Sequence, residues 1–123
     1  MALVGKLVVI KGPNKDENCI IPLNGEATIG RNLQCSIPIP DIKLSRIHCI
    51  VRQMGDRFEV LDSKSMNGTF VNQQPVDVSM TLTSGDIIEV GDTLIKFLYE
   101  EESKAITEEI EEVENIDDID EKN

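Results

Sequence analysis

Within four positions, Ser45-Arg46-Ile47-His48 brings together a hydroxyl, a guanidinium and the only histidine of the chain. Two chemistries use such a set. A serine beside a histidine can be a nucleophile with its base. A hydroxyl beside a guanidinium can hold an anion, because the planar guanidinium gives paired, charge-assisted hydrogen bonds to phosphate. The nucleophile reading is poorly supported. In an extended chain, residues three apart point to opposite faces, so Ser45 and His48 would diverge. No G-x-S-x-G elbow surrounds Ser45, and nothing marks an oxyanion hole or an orienting carboxylate. No catalytic residue is therefore predicted. His48 begins the alternating run HCIV, in which Ile47, Cys49 and Val51 are expected to share one face. It reads as a structural residue that ties the preceding loop to a sheet.

Other stretches could complete an anion grip. ATIGRN supplies Arg31 just past a strand, after Gly30, which permits close backbone approach. SMNGT supplies Asn67, whose amide can both donate to and accept from a peptide backbone. Each signal alone is ordinary, and Asn67-Gly68 by itself reads as a hairpin turn. The combination and its order carry the information. No metal or cofactor site is expected. Cys19, Cys35 and Cys49 lack C-x-x-C spacing, and one histidine is too few for a typical zinc site. They read as small buried hydrophobes of a reducing compartment.

These residues need a scaffold. The chain has 123 residues, enough for one domain. Strand-sized apolar runs recur near Lys6–Lys11, Asn18–Leu23, Ala27–Gly30, Ser36–Ile39, Ile47–Val51, Phe58–Leu61, Thr69–Val71, Asp86–Val90 and Thr93–Tyr99. Turn signals such as GPNKDEN, LNGEA, QMGDR and VGDT separate them. No helical stripe precedes residue 100. The pattern predicts an all-β, antiparallel sandwich with a largely aliphatic core, since aromatics make up only 3% of the chain.

Charge divides the chain. Residues 100–123 hold 12 of the 23 acidic residues and 2 of the 12 basic ones, so the acidity is a tail and residues 1–99 are nearly neutral. Phosphate-rich partners would be repelled, which argues against nucleic acid and anionic membranes. No segment approaches the roughly 20 apolar residues of a membrane helix, and no signal peptide is visible. A cytoplasmic protein is expected. In the tail, Ile106, Ile110, Val113, Ile116 and Ile119 recur at helical spacing, but most other positions are Glu or Asp. Like charges at i,i+4 oppose a helix, so disorder or a frayed helix is expected there.

The order Gly30-Arg31, then Ser45-Arg46-Ile47-His48, then Ser65-Met66-Asn67-Gly68-Thr69 resembles the forkhead-associated (FHA) domain. The flanking FVNQQPV and LTSGDIIEVGDTLIKF are similar to that family as well. The resemblance spans roughly residues 6–99. It implies a β-sandwich of about eleven strands whose loops at one end bind phosphothreonine peptides and do not catalyse. By matching positions, Arg31 and Ser45 contact the phosphate with Arg46 assisting, and Asn67 holds the peptide backbone. Met66 and Asn72 are also placed in the peptide-binding set. Gly30, His48, Ser65, Gly68 and Thr69 are architectural, His48 bracing the loop that carries Ser45. The implied partner is a phosphothreonine protein downstream of a Ser/Thr kinase. The alternative is an FHA-fold scaffold that ignores phosphate.

Two positions depart from the family pattern. Met66 stands where a hydroxyl is frequent, which removes a hydrogen bond to the ligand. Gln73 stands where an Asn-Gly turn is common, and Gln tolerates positive φ poorly, so that turn is expected to differ. Thr107, in the acidic stretch AITEEIEE, suits an acidophilic kinase and, once phosphorylated, would be a ligand for its own domain type. Eight residues from Tyr99 reach at most ~29 Å, against a diameter of roughly 34 Å for about 100 residues. Head-to-tail association between molecules is therefore expected over self-capture.

Overall fold

The computed structural model describes residues 3–101. The strands in chain order are β1 (Leu3–Lys11), β2 (Asn18–Ile21), β3 (Glu26–Gly30), β4 (Ile37–Pro38), β5 (Cys49–Met54) and β6 (Arg57–Asp62), followed by β7 (Thr69–Val71), β8 (Gln74–Pro75), β9 (Ser79–Leu82), β10 (Ile87–Val90) and β11 (Thr93–Glu101). One sheet has the order β2-β1-β11-β10-β7-β8 and the other β4-β3-β5-β6-β9. The sandwich of eleven strands matches the expectation. The expected disorder of the tail concerns residues outside the described ones, and β11 runs two residues past the expected domain end at 99.

Period-2 alternation builds the core. In β1 the buried positions Gly5, Leu7 and Val9 alternate with half-buried ones, and β11 buries Thr93, Ile95 and Phe97 in the same way. Facing them, β3, β5 and β6 bury Ala27 and Ile29, Cys49 and Val51, and Phe58 and Val60. Each fully buried side chain of this size contributes about 1.5–3 kcal/mol relative to exposure. The core is mainly aliphatic, yet the few aromatics are concentrated: Phe58, Phe97 and Tyr99 pack together, with the Phe58 and Phe97 ring centroids 5.0 Å apart. Cys49 is one of these core residues, and burial pushes its thiol up to about 12. All three cysteines are free.

Several expectations need correction. β8 and β9 were not predicted, because QP is too short to alternate and SMTL has one buried residue in four. The β3–β4 pair is parallel, so the five-stranded sheet is mixed. The strand expected from Ile47 begins at Cys49, and Ile47 is 38% exposed, so it does not share the inward face of Cys49 and Val51. The Asn72-Gln73 turn does not differ as expected. Both residues have positive φ, 49° and 71°, which is the backbone of a type I′ hairpin turn.

The registers set one end of the sandwich apart. Ile29 pairs with Cys49, Cys49 with Asp62, Thr69 with Val90, and Val90 with Thr93. The segments 31–36, 39–48, 63–68 and 91–92 therefore leave the sheets at the same end. β11 then carries the chain to Glu101, opposite Leu3, at the other end.

A left-handed conformation costs a residue with a Cβ about 1–2 kcal/mol. Gln73→Gly is therefore expected to raise stability by about 0.5–1 kcal/mol, after the added chain entropy of glycine. Denaturant unfolding measures it, and a lower midpoint would show that Gln73 side-chain contacts outweigh the strain.

Candidate functional site

Local backbone contacts dictate the arrangement of the loops. At Gly30, a Cβ would lie 2.1 Å from the Arg46 carbonyl oxygen and 3.0 Å from the His48 amide nitrogen. Only glycine lets segment 39–48 cross β3 so closely. The crossing is fastened by Arg31 N–H to Ser45 O (3.0 Å), Asn32 N–H to Arg46 O (3.1 Å) and His48 N–H to Ile29 O (2.8 Å).

Arg31 is exposed, and its Nε donates to Leu44 O at 3.1 Å. That bond holds the side chain against the loop and leaves the two terminal nitrogens unpaired, since among the described residues no carboxylate forms an ion pair with Arg31. The Ser45 hydroxyl accepts from Met66 N–H at 3.0 Å. Its own proton is then available to donate. Asn67 Nδ2 donates to Lys43 O at 2.6 Å. Arg46 is exposed on the same loop and has no ion pair among the described residues. Met66 is 87% exposed, and Lys43 is tied to Asp92 at 2.9 Å, a hydrogen bond that raises its pKa.

His48 is fully buried. Its Nδ1 accepts from Ser45 N–H at 3.2 Å, which leaves the proton on Nε2 to be donated to Gly68 O at 2.7 Å. The loop curls, so Ser45 and His48 do not diverge as an extended chain would make them. Contact is through the Ser45 backbone, however, and neither ring nitrogen is left to act as a base for the hydroxyl.

The structure thus brings Gly30, Arg31, Ser45, Arg46, His48, Ser65, Met66, Asn67, Gly68 and Thr69 to one end. It does not bring Asn72 there. Both amide atoms of Asn72 are used at the start of β10, by Asp86 (3.0 Å) and Ile87 N–H (3.0 Å), across β7 from Gly68. With its positive φ, Asn72 pins its own turn through these two bonds.

Asp62 is a residue that the sequence motifs do not single out. It accepts from Ser65 Oγ (2.5 Å), Ser65 N–H (3.1 Å) and Thr69 Oγ1 (2.7 Å), while Ser65 Oγ accepts from Gly68 N–H at 3.0 Å. These bonds fold segment 63–68. The spacing D-x-x-S, whose serine opens the S-x-N-G-T stretch, was the available signal. Burial acts to raise the Asp62 pKa, but the Ser65 and Thr69 hydrogen bonds outweigh it and hold the carboxyl below its usual value.

The assembled site is a β-sandwich end that presents a guanidinium without an ion pair among the described residues, a hydroxyl and an amide on three interlocked loops. Comparison with known proteins agrees on the class. The family profile of the FHA domain matches residues 27–91. The oxoglutarate dehydrogenase inhibitor of Corynebacterium jeikeium is 38% identical over 92 residues, covering 75% of this chain and 62% of that protein. The glycogen accumulation regulator GarA of Mycolicibacterium smegmatis is 37% identical over 92 residues, covering 75% and 57%. A solved structure from work on phosphothreonine-dependent FHA domain interactions superposes with a TM-score of 0.70 at 29% identity, covering 77% of this chain and 95% of that one. The chain belongs to the FHA domain family. It spans about three fifths of the length of these two curated relatives.

Asp62 has a lowered folded-state pKa, so its stabilisation is present above the unfolded value of about 3.9 and is lost as pH falls through the folded value. Asp62→Asn is expected to cost roughly 1–3 kcal/mol at neutral pH. In unfolding curves taken at several pH values, the gap to wild type should close below about pH 4. A gap that stays constant into acid would remove the carboxylate from the account.

Proposed function

We propose that this chain is a phosphothreonine-dependent protein–protein interaction module that acts by binding and not by catalysis. The observation that carries the reading is Arg31, buttressed through Nε with its terminal nitrogens unpaired, next to a Ser45 hydroxyl whose acceptor side is already filled. A phosphate accepts from both. In this reading Arg31 and Ser45 contact the phosphate, Arg46 assists, and Asn67 exchanges its bond to Lys43 for one to the peptide backbone. Met66 lies against the ligand. His48, Gly30, Ser65, Gly68 and Thr69 hold the loops. Two relatives are named as an enzyme inhibitor and a regulator, which fits action through a partner. That partner carries a phosphothreonine written by a Ser/Thr kinase. Among the described residues no helix is long and apolar enough to cross a membrane.

One observation favours a second reading. Met66 occupies a position where the family often has a hydroxyl and projects into solvent, as it would in a scaffold that binds without phosphate. Matched phosphorylated and unphosphorylated peptides from a threonine library separate the two, because a scaffold binds both equally.

Calorimetry with a selected phosphopeptide tests the site. A charge-assisted contact is worth about 1.5–3 kcal/mol, so Arg31→Ala should weaken binding tenfold or more with the melting temperature unchanged. Wild-type affinity in this variant rejects the anion grip.

Thr107 lies outside the described residues. From Glu101 it is six residues away, at most ~22 Å, while the nine residues of β11 separate Glu101 from the loop end by about 26 Å. A phosphorylated tail would then bind between molecules, head to tail. A phospho-Thr107 peptide titrated into the chain should shift the NMR signals of Arg31, Ser45 and Asn67, less so at high salt. Signals that stay still at millimolar peptide exclude self-recognition.

A further inference from the structure

On the outer face of the five-stranded sheet, Glu26, Arg52, Glu59 and Thr81 form one row across four strands, with Arg52 and Glu59 paired at 3.1 Å, and the adjacent row holds Ile50 and Leu61 between Thr28 and Ser79. The outer face of the six-stranded sheet carries Val4, Val8, Ile20, Ile87, Leu94 and Leu98. Ile20 and Leu98, 55% and 36% exposed, flank Lys6 in a single row. With Val4 they line a shallow depression of ≈ 350 Å³ beside Glu100, where the chain leaves the sheet. Contiguous apolar surface of this sort marks a contact site. Lys6 and Lys96 are diagonal neighbours on the same face, and neither forms an ion pair among the described residues. Glu89 and Glu100 are the carboxylates that share the face.

We propose that this face is the docking surface for the chain's own acidic tail. Ile106, Ile110, Val113 and Ile116 have the spacing that would place them on one side of a helix. Residues 106–119 as a helix would be about 20 Å long. Along β11, the apolar face from Leu94 to Glu100 spans about 20 Å as well. Glu101 leaves from the row of Val4 and Glu100. The five residues to Ile106 reach at most ~18 Å, enough for a reversal that returns the stripe over Leu98 and Ile20. Residues 102–123 carry 10 acidic and 2 basic residues. Their carboxylates flank the stripe, where Lys6 and Lys96 meet them. Like charges oppose this helix in isolation, so burial against the sheet supplies what local propensity lacks. A tail docked in this way keeps Thr107 near Glu101 and away from Arg31.

The test uses the full chain and an endoproteinase that cleaves after glutamate. Ile110→Ser/Val113→Ser preserves the tail's charge and removes half of its stripe. Cleavage within 102–123 is expected to be at least tenfold faster in this variant than in wild type. Leu98→Asp, at an exposed position of the sheet, should release the tail to the same extent. If Leu98→Asp fails to fold, the tail variant decides alone. Equal cleavage rates in wild type and the tail variant overturn the proposal. So does protection of the wild type that vanishes on dilution, which would place the tail on a second copy. Methyl NOEs between Val113 and Leu98 or Ile20 within one molecule are the supporting result, and their absence overturns it.

Discussion

A single buried imidazole holds the two recognition loops together. His48 takes the amide proton of Ser45 on one nitrogen and gives its own proton to Gly68 O from the other. Both contacts are to backbone, so the ring fixes where the chain runs and leaves the side chains of Ser45, Met66 and Asn67 at the surface. Losing a buried partner on either side would leave an unsatisfied polar group at a cost of about 1–3 kcal/mol. The Ser45 hydroxyl and the Asn67 amide then tie the loops a second time, by exposed bonds.

Around the imidazole the supports are layered. Gly30 lets the first loop lie on β3, and Asp62 gathers Ser65 and Thr69 under the second. The result is a hydrogen-bonded base beneath the exposed side chains of Arg31, Met66 and Asn67. Cys49, buried beneath the same loops with its thiol pushed up to about 12, packs in the core.

Most of the fold was legible because alternation is a strong signal where a strand has one wet and one dry face. β1, β3, β6, β7, β10 and β11 were readable for that reason. β8 and β9 were not, since their residues are placed by pairing to β7 and β6 and barely by burial. The parallel pairing of β4 was hidden because two residues carry no directional pattern. In the site, the order of G-R, S-x-x-H and S-x-N-G-T was visible, and the roles of His48 and Gly30 followed from chemistry. Asp62 escaped because a carboxylate that organises a turn looks, in sequence, like any other. Asn72 lies within the FVNQQPV stretch that resembles the family, and its amide bonds serve a turn that the sequence does not reveal.

β11 also has a mechanical consequence. In the function proposed above a bound partner would attach at the loop end, while the chain beyond Glu101 continues from the other. Tension between them runs lengthwise along a nine-residue strand paired to β1 from Leu94–Lys11 to Glu101–Leu3. The hydrogen bonds of that ladder lie across the pull and are loaded in shear, so they share the force and must fail together. A hairpin pulled from one end would unzip one pair at a time. The geometry of this ladder therefore favours resistance to extension along the β11 axis over unzipping.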